Sequence, residues 1–95
     1  MSPPDGECRA ILEIQNRLGL HARAAVLLVE TAARFDAEVS VSKDGQAVNG
    51  KSIMGVMTLA ATQGSTIEVV TQGPQAAEAL DAIRVLVAAK FNEAD

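Results

Sequence analysis

Tryptophan and tyrosine are absent from this chain of 95 residues, and Phe35 and Phe91 are its only aromatic side chains. The core is therefore aliphatic, and the chain lacks the set of flat rings on which nucleic-acid bases would stack. Positive charge is scarce too: 8 lysines and arginines against 12 aspartates and glutamates leave a formal net charge of −4. With no clustered basic footprint, no nucleic-acid partner is expected. Long apolar runs are also missing. The stretch Ala24–Val29 falls far short of the roughly 20 residues that a membrane-spanning helix needs, so no direct membrane insertion is expected.

Cysteine and histidine occur once each, as Cys8 and His21. One cysteine permits no internal disulfide, and the pair cannot supply the three or four protein ligands of a typical zinc site. No metal and no organic cofactor is expected, nor is a hydrolase, since no nucleophile–base–orienter set is visible. Cys8 reads as a small buried residue. Residues 1–7, MSPPDGE, have neither the basic nor the apolar region of a secretory signal. They read as a flexible tail ahead of one domain over residues 8–95, in the reducing cytoplasm.

What is present is periodicity. Arg9–Gln15 alternates, with Ala10, Leu12 and Ile14 on one face, which predicts a half-buried strand. Asn16–Gly19 breaks it as a loop. From Ala22 to Phe35 the spacing turns helical, with Ala25, Leu28, Val29, Ala32 and Phe35 on the core side. Glu38–Ser42 predicts a second strand with Val39 and Val41 inward. Asp44-Gly45 marks a hairpin into a short third strand over Gln46–Val48. Ser52 is placed to cap a short helix carrying Ile53, Met54, Val56 and Met57. Thr66–Thr71 reads as a fourth strand with Ile67 and Val69 inward. Gly73-Pro74 then opens a last helix with Ala76, Leu80, Ile83, Val87 and Phe91 buried. The order β-α-β-β-α-β-α predicts an α+β domain with one sheet covered on one face.

The chemistry concentrates in Gly19-Leu20-His21-Ala22-Arg23-Ala24-Ala25. The histidine falls where a glycine-containing loop becomes a helix. There the unpaired first-turn amides and the positive end of the helix dipole favour a phosphate dianion. The same pole disfavours imidazolium and favours the neutral, nucleophilic ring. Arg23 adds a planar, permanently charged donor able to grip two phosphoryl oxygens. Taken by itself, a lone histidine at a helix start is more often a surface residue or a cap, and spacing alone leaves that reading open.

These residues resemble the active-site motif of the histidine-containing phosphocarrier family, HPr, of the bacterial phosphoenolpyruvate-dependent sugar phosphotransferase system. A second block, Gly50-Lys51-Ser52-Ile53-Met54-Gly55-Val56-Met57, resembles the region around that family's regulatory serine. The resemblance runs from about Arg9 to Phe91, and two motifs at the right separation are far more specific than either alone. It implies an open-faced sandwich of four antiparallel strands with three helices on one face. It also implies a monomeric phosphocarrier, not itself an enzyme, that accepts phosphate from enzyme I on the Nδ1 atom of His21. The group then passes to an EIIA protein or domain in sugar uptake. By the same resemblance the phosphate is held by Ala22, Arg23 and Ala24, and Ser52 matches the serine modified by HPr kinase/phosphorylase in some bacteria. Ala24 stands where the family usually has proline, and Val26 where it more often has a small residue.

Arg17 and Lys51 are expected to join Arg23 in a local basic rim. Ile53, Met54 and Met57 are expected to give the apolar part of a docking surface, with Met54 outward and Ile53 or Val56 inward. Gly73-Pro74-Gln75, followed by an alanine-rich helix, also resembles the nitrogen-related branch of the family, whose carrier feeds regulatory proteins. A non-phosphorylated regulatory module on the same fold is the alternative of a different class, and the presence of His21 weighs against it.

Overall fold

Alternating apolar residues in four segments build one antiparallel sheet. The computed structural model, which describes residues 6–93, forms it from β1 (Cys8–Glu13), β2 (Glu38–Lys43), β3 (Gln46–Asn49) and β4 (Thr66–Gln72). The strand order is β1-β4-β2-β3. Register lines up Ala10 with Val69, Val69 with Val41, and Val41 with Val48, so one apolar row crosses all four strands on the covered face. The hairpin between β2 and β3 turns through Asp44 and Gly45 at φ 51° and 83°, the doubly positive geometry that Asp-Gly was expected to supply.

Three helices, α1 (Ala22–Ala33), α2 (Ile53–Thr58) and α3 (Ala76–Ala88), cover the sheet and pack on each other, giving the open-faced α+β sandwich. Ile14, Leu28, Val41, Val56, Ile67, Val69, Ile83 and Phe91 are fully buried among them. Burying each such side chain stabilises the fold by about 1.5–3 kcal/mol relative to leaving it exposed. Ser52 caps α2 as predicted, its hydroxyl accepting the Gly55 amide at 3.1 Å.

Element ends differ from the expected ones. β1 stops at Glu13, although Ile14 still exchanges backbone hydrogen bonds with Ser65 and Gly64 at 2.9 and 2.8 Å. α1 ends at Ala33, and Phe35 lies beyond it, half-buried, with the Arg34 guanidinium 5.9 Å from its ring centroid. Pro74 sits in the turn before α3 and not in its first turn. Phe91 is buried as expected but is no longer helical. Lys90, Phe91 and Asn92 all take positive φ, at 57°, 54° and 62°. That left-handed turn drives Phe91 into the core and swings the chain back across the domain. The expected tail over residues 1–7 lies outside the described residues up to position 5; of the rest, Glu7 pairs with Arg9 at 3.4 Å. Residues 94–95 of the expected domain also lie outside them.

Candidate functional site

The loop ahead of α1 is held by backbone contacts that leave little choice of residue. Gly19 adopts φ +67°, and a Cβ there would stand 2.3 Å from the Ala61 carbonyl oxygen. The adjoining Leu20 amide donates to that same oxygen at 2.8 Å, and the Leu20 side chain is buried. His21, next in the chain, is thereby fixed as the N-cap residue of α1, in extended geometry.

Its ring does not act as a cap, however. No hydrogen bond runs from the His21 side chain to the helix, and the first helical bond joins the Ala25 amide to the His21 carbonyl at 2.9 Å. The amides of Ala22, Arg23 and Ala24 precede that bond, so all three lie among the orphan donors of a helix start. Ala22 and Arg23 are exposed, whereas the Ala24 side chain is buried in the core, so that residue can meet a phosphate only through its N–H.

The His21 ring instead makes a 2.6 Å contact from Nε2 to the Glu93 carboxylate, 72 residues away in sequence. The other Glu93 oxygen accepts from the Asn16 amide at 3.1 Å, and Asn16 also donates to the Gly19 carbonyl at 2.8 Å. Asn16 is fully buried, and its own Oδ1 has no partner among the described residues. Glu93 is held below the usual carboxylate range, chiefly by the His21 hydrogen bond; Asn16 and the charge of Arg23 act in the same direction, and partial burial opposes them.

Sequence reasoning missed Asn16 and Glu93. Asn16 had a signal: it continues the inward phase of Ala10, Leu12 and Ile14, where a polar side chain needs a buried partner. Glu93 had none, because a left-handed turn of three non-glycine residues is what carries it to His21.

The docking residues divide. Met54 is the most exposed of them at 76%, and Ile53 and Met57 are also exposed, while Val56 faces the core. Leu18, at 65% exposed, was not singled out and lies in the His21 loop beside the exposed Arg17. Lys51 does not join the expected rim. Its ammonium donates to the Phe35 carbonyl at 3.2 Å, past the C-terminal end of α1. His21 is at the other end of that 12-residue helix, about 18 Å away along its axis. Ser52 neighbours Lys51, so α2 starts near the end of α1 that is remote from His21, and the chain after it returns to Leu20 through Ala61. Among the described residues no helix is long and apolar enough to cross a membrane, and no group of three metal-binding side chains occurs.

Fold and site together define a small carrier-type domain, an open-faced sandwich that presents one histidine at the start of its first helix. The model of the PTS-HPr family, described as the PTS HPr component phosphorylation site, matches residues 9–89. The phosphocarrier protein HPr of Cupriavidus necator is 49% identical over 82 residues, covering 86% of this chain and 92% of that one. Among solved structures, HPr-C-His from Thermoanaerobacter tengcongensis superposes with a TM-score of 0.88 at 42% identity, covering 90% and 97% of the two chains. An HPr dimer from the same organism superposes with a TM-score of 0.74 at 44% identity, covering 86% and 94%. This chain belongs to the HPr family, the phosphocarrier proteins of the phosphotransferase system.

Proposed function

We propose that this protein is a cytoplasmic phosphoryl relay of a sugar phosphotransferase system, taking the group from phospho-enzyme I onto His21 Nδ1 and passing it to an EIIA protein or domain. The observation that carries this reading is that His21 occupies the N-cap of α1 without using its ring to cap it. The amides that a capping side chain would otherwise satisfy remain available to phosphoryl oxygens.

On this reading the Nδ1 lone pair attacks phosphorus, the N–P bond forms, and the bond from phosphorus to the donor breaks. The amides of Ala22, Arg23 and Ala24 and the guanidinium of Arg23 take up the charge on the transferred oxygens. Transfer onward reverses the roles: the N–P bond breaks and its electron pair returns to Nδ1. Alanine at position 24 supports the arrangement in one respect, since it has an N–H where a proline would have none.

Ser52 is proposed as a regulatory phosphorylation site for a kinase of the HPr kinase/phosphorylase kind. Its hydroxyl already accepts from Gly55 at the start of α2, and a phosphate there would keep an acceptor facing that amide. The added charge would stand beside the exposed Ile53 and Met54, where it repels acidic partner surfaces.

Intact-mass analysis after incubation with phosphoenolpyruvate, magnesium and enzyme I tests the relay. One acid-labile, alkali-stable phosphate that disappears in His21→Ala supports it. No adduct, with enzyme I active on a known carrier, overturns it in favour of a regulatory module that binds without phosphorylation.

A further inference from the structure

We propose that Glu93, oriented by Asn16, is a positioning residue for His21: its carboxylate holds the ring proton on Nε2 and leaves the lone pair on Nδ1. The inference rests on the phosphocarrier reading and adds to it the device that selects the reacting nitrogen.

An ionised carboxylate can only accept hydrogen bonds. At 2.6 Å from Glu93, Nε2 must therefore be the nitrogen that carries the proton. A neutral imidazole has one N–H, so the lone pair is on Nδ1, and the contact sets the tautomer as well as the ring orientation. The carboxylate is not left to wander. Its side chain is 15% exposed, and its second oxygen is engaged by the Asn16 amide at 3.1 Å.

The orientation of Asn16 is dictated by its neighbours. The Gly19 carbonyl and the Glu93 carboxylate are both acceptors, so the NH2 group must face them. This leaves Oδ1 buried without a partner among the described residues, an arrangement that costs about 1–3 kcal/mol. A buried asparagine that spends both amide protons on the His21 loop and on the His21 partner ties the two together.

The contact also bears on the transfer step. As the bond from Nδ1 to phosphorus forms, positive charge grows on the ring while the proton stays on Nε2. The carboxylate stabilises that charge in place, and no proton is gained or lost in either direction. Arg23 and the α1 terminus bring opposing positive charge to the same pocket, and Glu93 offsets it on the ring side.

The test combines 15N NMR of the His21 ring, at a pH where the ring is neutral, with rates of phosphorylation by enzyme I. Wild type is expected to show the Nε2–H pattern. Glu93→Ala is expected to shift it toward a tautomer mixture and to slow transfer about tenfold or more, the scale that partners orienting a functional histidine carry. Glu93→Gln should fall between, because its single carbonyl oxygen can serve His21 or Asn16 but not both. Asn16→Ala should move the spectrum in the same direction as Glu93→Ala. Thermal unfolding of each variant confirms that it is folded. A ring pattern in Glu93→Ala identical to wild type overturns the proposal whatever the rate. Failure of wild type to take up phosphate would overturn the relay instead, and the ring spectra would still decide whether Glu93 sets the tautomer.

Discussion

At the scale of single residues, chemistry depends on which side chain meets which, and Glu93 is the sharpest case. Its carboxyl is held below the ordinary range chiefly by the hydrogen bond from His21, so the folded protein binds a proton there less readily than the unfolded chain. The stability this contributes is complete above the unfolded carboxylate range of about 4.3 and is lost as pH falls through the lower native value. Glu93→Ala should therefore melt below wild type at neutral pH, and calorimetry should show the gap closing as the solution is taken below about pH 4. A gap of constant size would mean that the contact owes nothing to the charge. Gly19 is the second case, with its positive φ and its close approach to the Ala61 carbonyl oxygen. Gly19→Ala combines backbone strain with loss of the Leu20–Ala61 hydrogen bond, about 3 kcal/mol together. In a domain of this size the expected fall in Tm is roughly 12 °C or more, read by thermal unfolding monitored by circular dichroism.

Elements were legible where the pattern is long and local. The inward set Ala25, Leu28, Val29 and Ala32 marked α1, and the alternation of Val39 with Val41 and of Ile67 with Val69 marked two strands. The Asp44-Gly45 hairpin and the Ser52 cap could be read because their chemistry is contained within four residues. Strand order was not readable from periodicity, because β1 lies beside β4 with more than fifty residues between their registers; the family resemblance implied the antiparallel sheet and the structure gives its order. The last turn was misread as helix for a related reason. Phe91 keeps helical spacing from Val87, yet it reaches the core only through backbone angles that local preference disfavours. Lys90 is exposed and left-handed, so Lys90→Gly removes a Cβ penalty of about 1–2 kcal/mol and adds back part of it as chain entropy. The net expectation is a stabilisation of about 0.5–1 kcal/mol, seen as a Tm raised by a few degrees. A lower Tm would show that the Lys90 side chain supports the turn.

For the whole molecule, the question is how a domain of net charge −4 meets its partners. Leu18, Ile53, Met54 and Met57 are the exposed large apolar residues of the His21 loop and α2, and Met54 projects furthest into solvent. Met54→Glu should leave the unfolding free energy within about 0.5 kcal/mol of wild type, the range of surface changes. It should lower kcat/KM for phosphorylation by enzyme I about tenfold, as a central interface residue does. An unchanged kcat/KM would place the docking surface elsewhere. The monomer expected from the sequence is open to direct measurement, since both HPr and Crh relatives of known structure are described as dimers. Sedimentation equilibrium across a range of protein concentrations should return the mass of a single chain, and twice that mass would replace the monomer with a pair.

The left-handed turn at Lys90–Asn92 also matters to anyone who handles this protein at the bench. By returning the chain to His21, it makes the segment around Glu93 a neighbour of that ring and not a convenient place for a label. A fluorophore attached at Asn92 or Glu93 sits beside the His21 ring, and its bulk and charge are felt where phosphate is expected to arrive. A sluggish carrier made that way would report on the label, while the histidine itself was sound.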